Sequence, residues 1–368
     1  MKPIKMVDLH RQYLSMKSEI DQAISSVLER TDFILGSAVR DFEVDLARYL
    51  DVPFAVGCGS GTDALQIAMM ALGIGPGDEV ITTPFTFVAT AETIVLLGAR
   101  PVYVDIDPRT YNLQADQLEE KITSRTKAIV PVHLYGQPAD MDPILRLARD
   151  RGLHVIEDTA QAIGARYHDR PAGTMGDVGC LSFFPSKNLG AFGDAGALIT
   201  RDESLASRCR MIAVHGSRAK YQHEILGVNS RLDTLQAAVL KAKLPYLEAW
   251  TQARIEVARK YDQGLSGLPI VVPHVASGVR HVYHQYSIRS DRRDALGEFL
   301  KNRGIAHAVH YPIPLHRQPA FRQQVDPDDK FPVAEAVSRE IISLPIFPEM
   351  EDSEIETVVS SVRRFYAG

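Results

Sequence analysis

Four short segments carry residue types that could do chemistry together. In CLSFFPSKNLG, Lys187 follows an apolar run and is flanked by Ser182, Ser186 and Gly190. An amine held near the end of an apolar strand loses hydration, which lowers its pKa and frees the neutral form to attack an aldehyde. In VIEDTAQ, an apolar run delivers Asp158 at its carboxyl end, with Gln161 shortly after it. Ligands of open α/β sheets gather beyond such strand ends, and Asp158 suits the carboxylate that pyridoxal phosphate (PLP) needs to keep its pyridine nitrogen protonated as an electron sink. In GCGSGTDAL, a glycine-rich turn opens into a helical pattern whose free amides and dipole favour a phosphate, and Thr62 adds a hydroxyl donor. In TPFTFVATAETI, Phe87 follows a strand-like run, where its ring could cover a flat heterocycle.

Each segment also has an ordinary explanation. Lys187 could be a solvated loop residue, Asp158 the cap of a turn, and Phe87 part of the core; Ser60, Thr62 and Asp63 could simply cap a helix. Asp63 is an awkward neighbour for a phosphate, and its role stays open at this level. The spacing of Gly57, Gly59 and Gly61 departs from the dinucleotide fingerprint and follows no clear strand, which disfavours a nicotinamide site.

The elements that would position these residues read as α/β. Strands are expected over Glu79–Thr83, Pro101–Ile106, Lys127–Leu134, His154–Asp158, Val178–Phe184 and Gly196–Thr200, several of them apolar without alternation, as strands covered on both faces are. Helical patterns run over Thr62–Leu72, Asp140–Arg149 and Arg231–Ala258, the last interrupted by Pro245. This predicts a mainly parallel sheet between helices over residues 1–249, N-terminal segment included, and a smaller α+β domain over 250–368.

The 41 basic and 46 acidic residues, spread without blocks, offer no face for nucleic acid. Cys58, Cys180 and Cys209 are widely spaced and unpaired in pattern, which suits reduced thiols in the cytoplasm. The N-terminal MKPIKMVDLHRQYL lacks the apolar core of a signal peptide, and no stretch is apolar enough to span a membrane. His307, His310 and His316 have no ligand spacing that suits a metal, and His281 and His284 are read as structural.

SGTDAL, FTFVAT, VIEDTAQ and SFFPSKNLG, in that order, resemble the fold-type I PLP enzymes of the DegT/DnrJ/EryC1/StrS family of nucleotide-sugar aminotransferases, and the likeness extends from MVDLHRQY to SLPIFP. The resemblance implies Lys187 as the Schiff-base lysine, Asp158 as the partner of the pyridine nitrogen and Gln161 beside the ring hydroxyl. It implies Thr62 and Ser182 as phosphate ligands with the amides of Gly61 and Asp63 nearby, and Phe87 on the ring. A dehydratase branch of the family carries His at the lysine position, so Lys187 argues for transamination.

GVNSRLDTLQAAVLKAKL resembles the family stretch that reaches into the neighbouring site of a homodimer. Asn229 would then touch the partner's cofactor phosphate, unless it caps the following helix, and Arg231 could meet a substrate acid. AVHYPIPLH resembles the loop near the sugar pocket, which makes His310 and Tyr311 sugar contacts. The implied reaction moves the amino group of L-glutamate, through the pyridoxamine form of the cofactor, to a nucleotide-linked keto-sugar. The Asn-Ser-Arg-Leu-Asp pattern of residues 229–233 resembles members that aminate the 3-position, of UDP-2-acetamido-3-keto-glucuronate or a dTDP-3-keto-6-deoxyhexose, for an O-antigen or lipopolysaccharide type of glycan. The competing readings are 4-amination of a nucleotide-linked 4-keto-6-deoxy sugar and a PLP-binding regulator without turnover.

Overall fold

The computed structural model describes residues 3–326 and 328–368. Its central sheet has seven strands: β1 Phe54–Cys58, β2 Glu79–Thr82, β3 Arg100–Tyr103, β4 Thr126–Ile129, β5 His154–Asp158, β6 Val178–Ser182 and β7 Gly196–Thr200. Their spatial order is β1-β7-β6-β5-β4-β2-β3. Strands β2 to β6 pair in parallel, whereas β7 runs antiparallel to both β6 and β1. Every strand except β7 therefore points its carboxyl end at one edge, the mainly parallel α/β arrangement expected.

Both faces are covered. The Gly61–Ala71 and Glu203–Ala213 helices bury Leu65, Ile67 and Ile212 against Ile156, Val178, Cys180 and Leu198. On the other face, the Ser37–Tyr49 and Thr234–Lys243 helices bury Phe42, Leu46 and Leu240 against Leu181, Ala197 and Ile199. The Gly61–Ala71 helix is apolar nearly all round, which fits a helix enclosed on all sides.

Strand β1 escaped the sequence reading, so the glycine-rich turn does follow a strand after all, although its glycine spacing still differs from the dinucleotide fingerprint. Four expected strands stop early, at Thr82, Tyr103, Ile129 and Ser182. The apolar residues beyond those ends, such as Val130, Val132 and Phe183, are buried in the loops above the sheet, and burial rather than strand pairing explains their pattern. The long helical run over Arg231–Ala258 is two helices, Thr234–Lys243 and Leu247–Leu265, joined by a 3-10 turn at Leu244–Tyr246 where Pro245 has no amide to donate. The first begins after Asp233, so Asn229 is not its cap.

The Leu247–Leu265 helix belongs to two cores. Leu247 packs with the large sheet, while Val257, Ala258 and Tyr261 join a C-terminal core with Tyr286, Ile288, Leu296, Ile342 and Val358. That core rests on antiparallel strands Tyr286–Arg289 and Ile341–Leu344. Ile4, expected with the large unit, packs there too and pairs with Ile305. The three cysteines are buried and unpaired, and among the described residues no helix is long and apolar enough to cross a membrane.

Candidate active site

Side chains alternate along β5, so Ile156 and Asp158 face the Gly61–Ala71 helix while Val155 and Glu157 face the opposite way. Asp158, at the strand's carboxyl end, is buried. Its Oδ2 accepts from Thr90 Oγ1 at 2.8 Å and its Oδ1 from the Ala160 amide at 3.2 Å. Burial raises the pKa of this acid; the bonds from Thr90 and Ala160, and the nearby Lys187 and His133, act against that rise.

Lys187 lies in the turn after β6, its amide donating to the Phe184 carbonyl at 2.8 Å. The next residue, Asn188, is fastened to the Val282 carbonyl at 3.0 Å. The amine is partly accessible yet so enclosed that lost hydration lowers its pKa to about 8, with Asp158 pulling the other way. The same amine depresses the pKa of His310 and of buried His284, both of which burial already lowers.

The glycine-rich turn meets the end of β6 directly. A Cβ on Gly61 would stand 2.6 Å from that of Ser182, and one on Gly196 2.3 Å from the Ser60 carbonyl oxygen, so the turn closes only with glycine at these places. Ser60 caps the helix, its Oγ accepting from the Asp63 amide at 3.1 Å. The amides of Gly61 and Thr62, in the first helical turn, are left for an outside anion. Asp63 departs from expectation. Its amide already has Ser60, and its carboxylate accepts from Ser230 Oγ at 2.8 Å, while Ser230 Oγ accepts from the Gly59 amide at 2.9 Å. The awkward charge is thus spent on the 229–231 segment. Within that segment Asn229 is exposed and pairs with Val214, and Arg231 is partly exposed.

Gln161 sits between two tyrosines. Its Oε1 accepts from the Tyr135 amide at 2.7 Å and its Nε2 donates to Tyr311 Oη at 3.0 Å, which fixes the amide orientation and leaves one Nε2 hydrogen free. Tyr135 holds a left-handed backbone, φ 58°, uncommon for a bulky residue, and its hydroxyl donates to the His310 carbonyl. His310 Nδ1 is 3.0 Å from Ser343 Oγ. The Phe87 ring is 54% exposed, its centroid 6.3 Å from that of Tyr311.

The structure therefore gathers Lys187, Asp158, Gln161, Phe87, His310 and Tyr311 beyond the carboxyl ends of the parallel strands, with Gly61, Thr62 and Ser182 at the adjoining turn. Sequence reasoning passed over Thr90 and Tyr135, and read His284 as structural alone. A threonine inside an apolar helical run was the available signal for Thr90; Tyr135 had none. The residues fit PLP: an amine of lowered pKa for the aldehyde, a buried carboxylate for the ring nitrogen, an amide N–H for the ring hydroxyl and a helix start for the phosphate. Among the described residues, no group of three or more His, Cys, Asp or Glu is placed to hold a metal. A wide surface cleft lined by Asp107, Arg109, Asp140, Tyr167 and His274 shares none of the site's residues.

The model of the DegT/DnrJ/EryC1/StrS aminotransferase family matches residues 14–363. The chain is 47% identical, over 99% of its length and 98% of the relative's, to a UDP-N-acetyl-3-dehydro-alpha-D-glucosamine 3-aminotransferase of Acidithiobacillus ferrooxidans. It is 48% identical to the UDP-2-acetamido-2-deoxy-3-oxo-D-glucuronate aminotransferase of Pseudomonas aeruginosa, covering 98% and 99% of the two chains. A Geobacillus stearothermophilus relative called a pleiotropic regulatory protein is 49% identical over 99% of this chain and 98% of its own. Among solved structures, DesV of S. venezuelae in complex with a ketimine intermediate superposes with a TM-score of 0.97 at 44% identity, covering 100% of both chains. With the geometry of the site, these likenesses place the chain in the DegT/DnrJ/EryC1/StrS aminotransferase family, PLP-dependent enzymes that aminate nucleotide-linked sugars.

Proposed function

We propose that the chain transfers the amino group of L-glutamate to C3 of a UDP-linked 2-acetamido-3-keto sugar, and that it does so as a homodimer with shared sites. The observation that carries the transfer is the buried Asp158 carboxylate at the end of β5, held by Thr90 Oγ1 at 2.8 Å, near the Lys187 amine whose pKa burial lowers. The 3-position and the UDP-linked acetamido sugar are supported by the names of two relatives at 47% and 48% identity. Bound PLP supplies an aldehyde on which nitrogen is exchanged and a ring that takes up the electron pair released at carbon.

With PLP bound, Lys187 Nζ would hold its aldehyde carbon and, where a donor amine takes that place, would be the base and acid that moves the donor's α-proton. A pKa of about 8 lets the same nitrogen accept and return that proton near neutrality. Asp158 would hold the ring N–H, the free Nε2 hydrogen of Gln161 would serve the ring hydroxyl oxygen, and Phe87 would cover the ring. The amides of Gly61 and Thr62, with the hydroxyls of Thr62 and Ser182, would hold the phosphate. The Asp63 amide, engaged by Ser60, closes the turn rather than reaching the ligand.

Asn229 is exposed and follows Tyr221 and Leu226, 83% and 90% exposed, a surface suited to a second copy of the chain. From there Asn229 would complete the partner's phosphate site and Arg231 would meet a sugar carboxylate, as in a glucuronate. His310 and Tyr311 hold the sugar. Glutamate leaves as 2-oxoglutarate, its keto oxygen supplied by water, and the sugar carbonyl oxygen leaves as water.

The test is a screen of the pyridoxamine form against UDP- and dTDP-linked 3-keto and 4-keto sugars, with products read by mass spectrometry and NMR. A UDP-linked 3-amino-2-acetamido product is expected. A 4-amino product would move the assignment to the 4-keto-6-deoxy class. Absence of 2-oxoglutarate from glutamate with every sugar would revive a regulator that binds PLP without turnover.

A further inference from the structure

We propose that Thr86 and Thr90 are positioning residues that keep Asp158 charged and aimed, and thereby set how tightly the chain holds the protonated ring of its cofactor. This rests on the reading of Asp158 as the ring-nitrogen partner.

The motif that contributes Phe87 also carries Thr86, Thr90 and Thr93, which are 2%, 0% and 0% exposed. Threonine in a helix ordinarily spends its hydroxyl on a preceding carbonyl, and Thr93 does so, donating to the Ala89 carbonyl at 2.8 Å. Thr90 instead turns its hydroxyl 2.8 Å from Asp158 Oδ2. Thr86 Oγ1 lies 3.1 Å from Thr90 Oγ1.

The proton count then fixes the direction of the chain. An ionised carboxylate only accepts, and a threonine hydroxyl has one hydrogen. Thr90 must give that hydrogen to Asp158, which leaves Thr86 as donor to Thr90. The result is a one-way relay, Thr86 to Thr90 to Asp158, in which each bond polarises the next. A proton on the carboxyl group would make Oδ2 a poorer acceptor and weaken the bond from Thr90, so the arrangement favours the anion. With the Ala160 amide on Oδ1, each oxygen has one protein donor and a lone pair to spare for a ring N–H.

The other titratable groups that face this acid are Lys187, His133, Tyr311 and Cys180. They are unchanged in the variants below, so a difference from the wild type isolates the hydroxyl. Burial works against charge on Asp158 and Thr90 is the largest opposing influence, so its loss lets the acid hold its proton to higher pH. PLP affinity should then fall most at low pH and recover as the acid ionises regardless.

The experiment measures the PLP dissociation constant of holoenzyme variants from about pH 6 to 9 by absorbance and equilibrium dialysis. Thr90→Val, which keeps the shape and loses the hydroxyl, should bind PLP about tenfold more weakly near neutrality, the size of one hydrogen bond to a charged group. The deficit should narrow as pH rises. Thr86→Val should lose about two- to threefold, and Thr90→Ser should stay within about twofold of the wild type. An affinity in Thr90→Val equal to the wild type, or a deficit that does not change with pH, overturns the proposal, the second because it would report packing alone. If circular dichroism shows Thr90→Val misfolded, Thr86→Val decides by the same pH criterion. Failure of the underlying reading is separable: Asp158→Ala would then bind PLP as the wild type does, and borohydride would still fix the cofactor in Lys187→Ala.

Discussion

Removing the acid should make the amine a weaker base. Lys187 falls from the usual 10.5 to about 8 because burial strips hydration from its charged form, and Asp158 is the influence that keeps it from falling further. That fall corresponds to about 3 kcal/mol against the ammonium. At pH 7.5 about a quarter of Lys187 is then neutral, against roughly one in a thousand for an ordinary lysine, or about two hundredfold more reactive amine. Asp158→Asn removes the opposing charge at nearly constant volume, so the midpoint should drop below that of the wild type. The assay is pH-dependent labelling of the cofactor-free protein with an amine-selective acylating reagent, with the Lys187 peptide followed by mass spectrometry. The wild type should label with a midpoint near pH 8 and the variant with a lower one. A wild-type midpoint near 10.5, or an upward shift in Asp158→Asn, would refute the reasoning, since the first denies the desolvation and the second the pairing.

Two further outcomes concern stability. The pKa of Lys187 is lower in the folded protein than in the unfolded chain, so wild-type stability rises with pH between about 8 and 10.5. Lys187→Met should therefore stabilise the cofactor-free protein in urea by up to about 3 kcal/mol at pH 7, a gain that shrinks across that window; an unchanged midpoint would contradict it. Glu157, fully buried, accepts from the amides of Gly173, Met175 and Gly176 at 2.6 to 2.7 Å and from His133 Nε2 at 2.8 Å. Its neighbour His133 accepts from Ala139 at Nδ1 and donates its own amide to the Asp158 carbonyl. Glu157→Gln turns one acceptor oxygen into a donor among these groups and should cost about 3 kcal/mol or more in thermal unfolding, with the β5 end loosened; a cost under about 1 kcal/mol would sink this account.

How much of the site could be read from residues alone depends on where each partner lies in the chain. Lys187, Asp158 and the Gly61–Thr62 turn stand in short local motifs that singly admit ordinary explanations and, taken in order, resemble those of one family. Strand β1 was missed because FAVGC is short and leads straight into the glycine turn, so its edge pairing with β7 leaves little periodic trace. The apolar residues past Ile129 and Ser182 read as strand because burial, not pairing, selects them. Asp63 looked out of place because the hydroxyl that receives its charge, on Ser230, is distant in sequence.

The amino-acid sequence by itself determined the chemical class of this protein. The residue types that PLP chemistry needs stand in short motifs, and short motifs are local. Only the tertiary structure decided which hydroxyl faces Asp158, which way the Gln161 amide points and where the Asp63 charge goes. Those are contacts between segments far apart along the chain, and hydrogen-bond direction there depends on distances of a few tenths of an ångström that no local pattern encodes.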